Sequence, residues 1–282
     1  MKTRGVMRAT GRGFAALVGI GFVTAAYLYL TLPDVRPLRT ENPATTAFME
    51  LRARAAHAQG NPVVRDWRWV PYARIAQNLK RAVIVTEDGA FWQHEGIDYV
   101  QLRESMETNW ERGEFARGAS TITQQLAKNL YLSPSKNPIR KVKELLITRR
   151  LEFELSKQRI LELYLNVIEW GDGVWGAEAA ARRYFHKSAA ELSAPESALL
   201  AAAIANPHIL DPGHPSARLR RRQQMIMRRM GAVTPPPVVA EPPTPPVAPP
   251  EGPPVVPLPN LRLPGALIPA PTGSGSGRGP GQ

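Results

Sequence analysis

Two acids stand side by side at Glu87 and Asp88, after the apolar run Val83-Ile84-Val85 and ahead of Phe91, His94 and Gly96. If a helix continues through Phe91, Glu87 and Phe91 fall on one face and the carboxylate lies beside an aromatic wall. Partial desolvation raises a carboxylate's pKa and makes it a usable proton acceptor or donor near neutral pH. Taken alone, Glu87 and Asp88 also read as solvated surface acids, so the assignment depends on their company.

That company comes in two further stretches. In Arg117-Gly118-Ala119-Ser120-Thr121-Ile122-Thr123-Gln124-Gln125-Leu126-Ala127-Lys128-Asn129, a glycine-led turn delivers Ser120 or Thr121 as a helix N-cap. Ser120, Gln124 and Lys128 then share a neutral-to-cationic stripe suited to sugars and phosphates, while Ile122, Leu126 and Leu130 form the buried one. In Lys136-Asn137-Pro138-Ile139-Arg140-Lys141-Val142-Lys143-Glu144, Arg140 and Glu144 are four apart and project to one side. An ordinary surface ion pair is the plain reading. The functional one is a cationic cluster of Lys128, Lys136, Arg140 and Lys141 that neutralises a diphosphate as charge develops on it, with Glu144 as a second carboxylate.

The elements that must hold these residues are mostly α. Apolar residues recur at three and four spacing through Ile75-Leu79-Val83-Ile84, Ile139-Val142-Leu145-Leu146, Ile160-Leu161-Tyr164-Leu165 and Leu199-Leu200-Ile204, with little strand-type alternation. Asn137-Pro138 and the capping-box spacing Ser193 to Glu196 mark helix starts, and Asn206-Pro207 marks a stop. Residues 67–230 therefore form the expected catalytic domain, and 33–66 a weakly patterned connector with a short helix near Thr46 to Ala58. Residues 231–282 are expected to be a disordered tail: 17 of the chain's 28 prolines lie between Pro235 and Pro280.

Lys2, Arg4, Arg8 and Arg12 precede an uncharged run from Phe14 to Leu32, long enough to cross a bilayer as a helix. Basic residues on that flank alone put 1–13 in the cytoplasm and everything after Pro33 outside. The run is longer than a signal-peptide core and lacks a small-residue cleavage site, which favours an uncleaved anchor over residues 14–32.

With the motifs in place, a family resemblance emerges. Glu-Asp-x-x-Phe-x-x-His-x-Gly at 87–96, Gly-Ala-Ser-Thr-Ile-Thr-Gln-Gln leading to Lys128-Asn129, Arg140-Lys141-x-x-Glu144, and Lys157-x-x-Ile160-Leu161-Glu162-x-Tyr164-Leu165-Asn166 resemble, in this order, the peptidoglycan glycosyltransferases of the lysozyme-like family 51. The stretches Gly176 to Phe185 and Ala198 to Pro207 look like its monofunctional biosynthetic members. The resemblance implies a lysozyme-like fold and polymerisation of lipid II into β-1,4-linked glycan with inversion and release of undecaprenyl diphosphate. It implies Glu87 as the base, Glu144 as its assistant, and Lys128, Lys136 and Arg140 on the leaving group. Ser120, Gln124 and Gln125 would line the sugar channel, with Asp88, Phe91, Thr121, Asn129 and Lys141 completing the substrate-binding set. Lys136 departs from the pattern, because relatives place an arginine there and lysine lacks its bidentate fork. The fourth motif reads as mainly architectural, with Glu162 and Asn166 bracing the site from behind, and His94 as orienting the turn of the first.

Other chemistries are narrowed by the same residues. With no cysteine, disulfides and thiol catalysis are excluded. The five histidines show no zinc spacing. Ser133-Pro134-Ser135-Lys136 matches the Ser-x-x-Lys of transpeptidases, but no Lys-Thr-Gly follows. No cofactor is required, although a Mg or Mn ion at the diphosphate is left open. The net charge of +12 calls for anionic partners. Its even spread, without a recognition signature, argues against nucleic acid. Lipid II, the growing strand, the bacterial membrane and other wall-building proteins are the expected partners, with the domain on the outer side of the cytoplasmic membrane. A tethered glycan hydrolase and a non-enzymatic scaffold are the rival readings.

Overall fold

The computed structural model describes residues 18–24, 26–112, 119–134 and 137–232. The expected cytoplasmic segment 1–13, the start of the expected anchor, Lys136 and nearly all of the proline-rich tail lie outside the described residues. Residues 18–24 and 26–30 are helical, and Val18, Ile20, Phe22, Val23 and Leu30 are exposed. Among the described residues no helix is long and apolar enough to cross a membrane.

The body is mainly helical, as the periodicity predicts. Its α-helices are α1 (Ala47–Ala58), α2 (Gln77–Glu87), α3 (Tyr99–Arg112), α4 (Ile122–Tyr131), α5 (Pro138–Glu154), α6 (Lys157–Val167), α7 (Ala177–Phe185), α8 (Ala194–Ala203) and α9 (Ala217–Ala232). Their starts follow local chemistry. Asn137 caps α5 with Pro138 in its first turn, and Ser193 and Glu196 close a capping box on α8. Helix α8 is alanine-rich and buried from Ser197 to Ala203, as expected of a helix with neighbours on more than one side, and it packs on both α2 and α9. Helix α4 packs on α5, α6 and α1. Ile122, Leu126 and Leu130 make its buried stripe, in a core that also holds Leu79, Phe91, Tyr164 and Trp170.

Two features depart from expectation. A small sheet of order β1-β3-β2 is present, with β1 (Asp66–Trp67) parallel to β3 (Val174–Trp175) and β2 (Glu169–Gly171) antiparallel to it. Strands of two or three residues are too short to show alternation. The connector is also docked rather than loose. Arg159 donates to the carbonyls of Leu38 and Glu41, Arg39 pairs with Glu154, and Val35, Leu38 and Met49 are buried.

The turn from α2 to α3 sets the geometry of the site. Gly96 has φ +84°, and a Cβ there would stand 2.6 Å from Thr148 Cγ2 and 2.9 Å from Glu152 Cγ on α5. Only glycine combines that backbone with so close an approach. Gly96→Ala is expected to cost roughly 2–3 kcal/mol from strain and overpacking together, measured as a lowered midpoint in urea unfolding.

Candidate active site

Glu87 is the last residue of α2, half-buried, and its Oε2 accepts a hydrogen bond of 2.9 Å from Gln125 Nε2. The orientation of that amide follows from its other neighbour. Tyr164, fully buried on α6, donates its hydroxyl to Gln125 Oε1 at 2.9 Å, which leaves the NH₂ for the carboxylate. Burial holds the phenol well above its ordinary pKa, so it remains a donor. Burial is also the main influence on Glu87 and raises its pKa, opposed by the Gln125 hydrogen bond and by the charges of Arg222 and Lys128.

Asp88 positions this pair. It is 1% exposed, its Oδ1 meets His94 Nε2 at 2.8 Å, and its Oδ2 accepts from Ile122 N–H at 2.9 Å. Gly96 N–H donates to His94 Nδ1, so the ring proton sits on Nε2 and is given to Asp88. The rest of the α4 start is closed locally. Thr121 and Gln124 form a capping box, and the Thr121 hydroxyl donates to the Gly96 carbonyl at 2.7 Å.

Beyond Glu87 the site becomes cationic. Lys128 is half-buried on α4 and, among the described residues, makes no hydrogen bond or ion pair. Burial lowers its pKa; Glu144 and Glu87 act the other way, and Arg140 and Lys141 reinforce the lowering. Glu144 is 3% exposed and holds Arg140 Nη1 at 2.8 Å through one oxygen and Lys141 Nζ through the other. Arg140 keeps a buried Nε–H without a partner. An ammonium and a guanidinium with free donors, fixed beside a desolvated carboxylate, suit an anion that must depart from an atom under attack.

The expected residues therefore separate. Glu87, Gln125, Lys128, Arg140, Lys141 and Glu144 are linked by hydrogen bonds, ion pairs or electrostatic influence, and Ser120 is exposed at the start of α4. Asp88, Phe91, Thr121 and Gln124 are at most 5% exposed, and the Asp88, Thr121 and Gln124 side chains are engaged within the protein. Asn129 bonds back to the Gln125 carbonyl. The expectation that α2 continues through Phe91 is corrected: the helix ends at Glu87, because the next residue turns away toward the α4 N-terminus. Phe91 instead packs inside, under Lys157. The polar face of α4 presented to Glu87 carries Gln125 rather than Gln124, whose side chain folds back onto the cap. Asn166 braces Trp67 and Val70.

Two residues were missed. Tyr164 reads as core, and its hydroxyl contact has no sequence signal. Arg222 stands in sequence among the exposed arginines of α9, which hides that it is half-buried and acts on Glu87. A divalent cation at the diphosphate position does not fit the donors, since Glu144 already neutralises two cations and Glu87 faces an amide. The described carboxylate–histidine cluster of Glu169, Asp172 and His208 is held by Arg52.

The chain is similar to known proteins over most of its length. The family model described as Transglycosylase matches residues 56–231. A protein of Laribacter hongkongensis named biosynthetic peptidoglycan transglycosylase is 45% identical over 226 residues, covering 80% of this chain and 97% of its own. Relatives of the same name from Thiobacillus denitrificans and Nitrosomonas eutropha are 43% identical over 233 residues and 49% over 192. They cover 83% and 68% of this chain, and 99% and 79% of their own lengths.

Because both groups facing Asp88 are donors, Asp88→Asn would turn an NH₂ toward one of them. The variant is expected to lose about 1–3 kcal/mol of stability, read from urea unfolding; an unchanged midpoint would contradict this junction.

Proposed function

The chain belongs to the transglycosylase family and is a peptidoglycan transglycosylase, a glycosyltransferase, and from that premise we propose that Glu87 is the general base that polymerises lipid II. The observation that carries this reading is the line Tyr164–Gln125–Glu87, with Lys128 under the electrostatic influence of both Glu87 and Glu144. Ionised Glu87 takes the proton from the 4-hydroxyl of the acceptor. That oxygen attacks the anomeric carbon of the growing strand from the face opposite the leaving group, so a β-1,4 bond forms with inversion as the bond to the diphosphate breaks. Lys128 and Arg140, supported by Lys141 and Lys136, take up the charge released on undecaprenyl diphosphate. Glu144 holds two of those cations in place. Ser120 at the open start of α4 is read as a sugar contact, in a lysozyme-like helical domain. A hydrolase would need no such cation set.

Membrane anchoring through residues 14–32, with 1–13 cytoplasmic and the domain on the periplasmic side of the inner membrane, is part of the same proposal. Its support is the contact that Tyr27, Tyr29 and Pro33 make with α5. Lys143 lies over the Tyr27 ring, Arg150 over that of Tyr29, and Arg150 also donates to the Pro33 carbonyl. From Tyr27 to Pro33 the chain thus runs in the same sense as α5. Ile139, Val142 and Leu146 of α5 are exposed, as are Tyr99, Val100 and Met106 of α3, and apolar surface of this kind suits a bilayer interface. Other wall-building proteins are the further partners in this reading.

Two outcomes test it. Purified intact protein given lipid II should make polymer, and Glu87→Gln should lower the rate by at least about 100-fold with unfolding unchanged; equal activity in the variant would remove Glu87 from the chemistry. The base must be ionised, so activity falls as pH drops through its pKa. Gln125→Ala removes the hydrogen bond that lowers this pKa, and the acid limb of kcat/KM is expected to move to higher pH.

A further inference from the structure

Helix α9 contains six arginines and no acid. Leu219, Ile226 and Met230 bury one face against the body, leaving Arg218, Arg220, Arg221, Arg228 and Arg229 exposed around the partly exposed Met225. Several arginines elsewhere meet a carboxylate, as Arg36 does Asp34, Arg39 Glu154, Arg103 Glu107 and Arg182 Glu178. Among the described residues no arginine side chain of α9 makes an ion pair or hydrogen bond. From Arg218 to Arg229 the ridge runs about 16 Å. Like charges at that density repel one another, and an array of anions outside the chain would relieve the repulsion.

The place of α9 in the fold narrows the choice of anion. It packs on α2, whose last residue is Glu87, and inward-facing Arg222 is near enough to act on the charge of Glu87. In the reaction proposed above, on which this inference rests, the carbon under attack is bonded directly to a diphosphate whose lipid stays in the bilayer. The reacting centre therefore works close to headgroup height, and a helix bordering it lies within the reach of a charged membrane surface, about 8–10 Å. The basic residues of α9 are all arginine, whose planar fork matches phosphate oxygens better than an ammonium does.

We propose that the exposed arginine face of α9 binds the phosphate headgroups of an anionic lipid surface, as a contact separate from the anchor and from the diphosphate site. Each arginine close to such a surface contributes about fivefold to partitioning, so the ridge orients the domain with the Glu87 end of α2 toward the bilayer. Met225 adds a small apolar contact at its centre.

The chain has no cysteine, so Gln224→Cys on the exposed face of α9 gives one unique labelling position. The full-length protein carrying a fluorophore there is placed in vesicles of phosphatidylcholine alone or with added phosphatidylglycerol, each doped with a headgroup nitroxide quencher. Quenching is expected to be at least about fivefold stronger with phosphatidylglycerol. The difference should disappear at about 0.5 M salt, and also when Arg218→Gln, Arg221→Gln, Arg228→Gln and Arg229→Gln are combined. That combined variant should keep its rate on lipid II in detergent, which also shows that it folds. Equal quenching in the two vesicles would overturn the proposal. So would a label shielded only as polymer accumulates, which would assign the ridge to the glycan product. Polymer formation scored on the same vesicles reports the catalytic reading separately, so either idea can fail alone.

Discussion

Asp88 accepts hydrogen bonds from two directions, from His94 at the turn after α2 and from the first N–H of α4. A buried carboxylate is costly unless its oxygens are satisfied, and a helix start is costly unless its N–H groups are. Each need here answers the other. The consequence is geometric: α2 must end at Glu87 and α4 must begin beside it, which places Gln125, one turn into α4, within reach of the Glu87 carboxylate. Gly96 lets the intervening turn close against α5, and the Thr121 hydroxyl fastens the same turn to α4.

On that frame the electrostatics divide into two zones. Around Glu87 the neighbours in contact are neutral, an amide steered by a buried phenol, so burial dominates and the carboxylate is pushed toward the protonation range a base requires. A turn further along α4 the neighbours are cations. There Glu144 binds Arg140 and Lys141 in fixed positions, and among the described residues the Lys128 side chain has no hydrogen-bond or ion-pair partner. Were Lys128 to pair directly with Glu87, it would stabilise the ionised form and weaken the base. With an amide rather than Lys128 in contact with Glu87, one helix can serve proton removal and leaving-group departure in the proposed reaction.

Features set by local chemistry were legible from the residues alone: a cap at Ser120 or Thr121, the Asn137-Pro138 start, the Ser193 box, the buried stripe of α4 and the ordered motifs. The cation group around Glu144 was legible too, because residues three and four apart on a helix must meet. What could not be read depended on contacts distant in sequence. Nothing near Glu87 signals that its successor leaves the helix to serve a segment 34 residues away. The choice between Gln124 and Gln125 turned on a capping box that consumes the first, and the role of Tyr164 on a hydroxyl at the edge of an apolar pattern. The docked connector uses carbonyl groups, which every sequence possesses equally.

The central claim is that burial raises the pKa of the Glu87 carboxyl above the ordinary glutamate value, against the lowering effect of the Gln125 hydrogen bond. Carbon-13 NMR of protein labelled at the glutamate carboxyl carbon, with Glu87→Gln identifying the resonance, would follow this group directly. The account predicts that it titrates above the ordinary glutamate value. Titration at or below that value would contradict it.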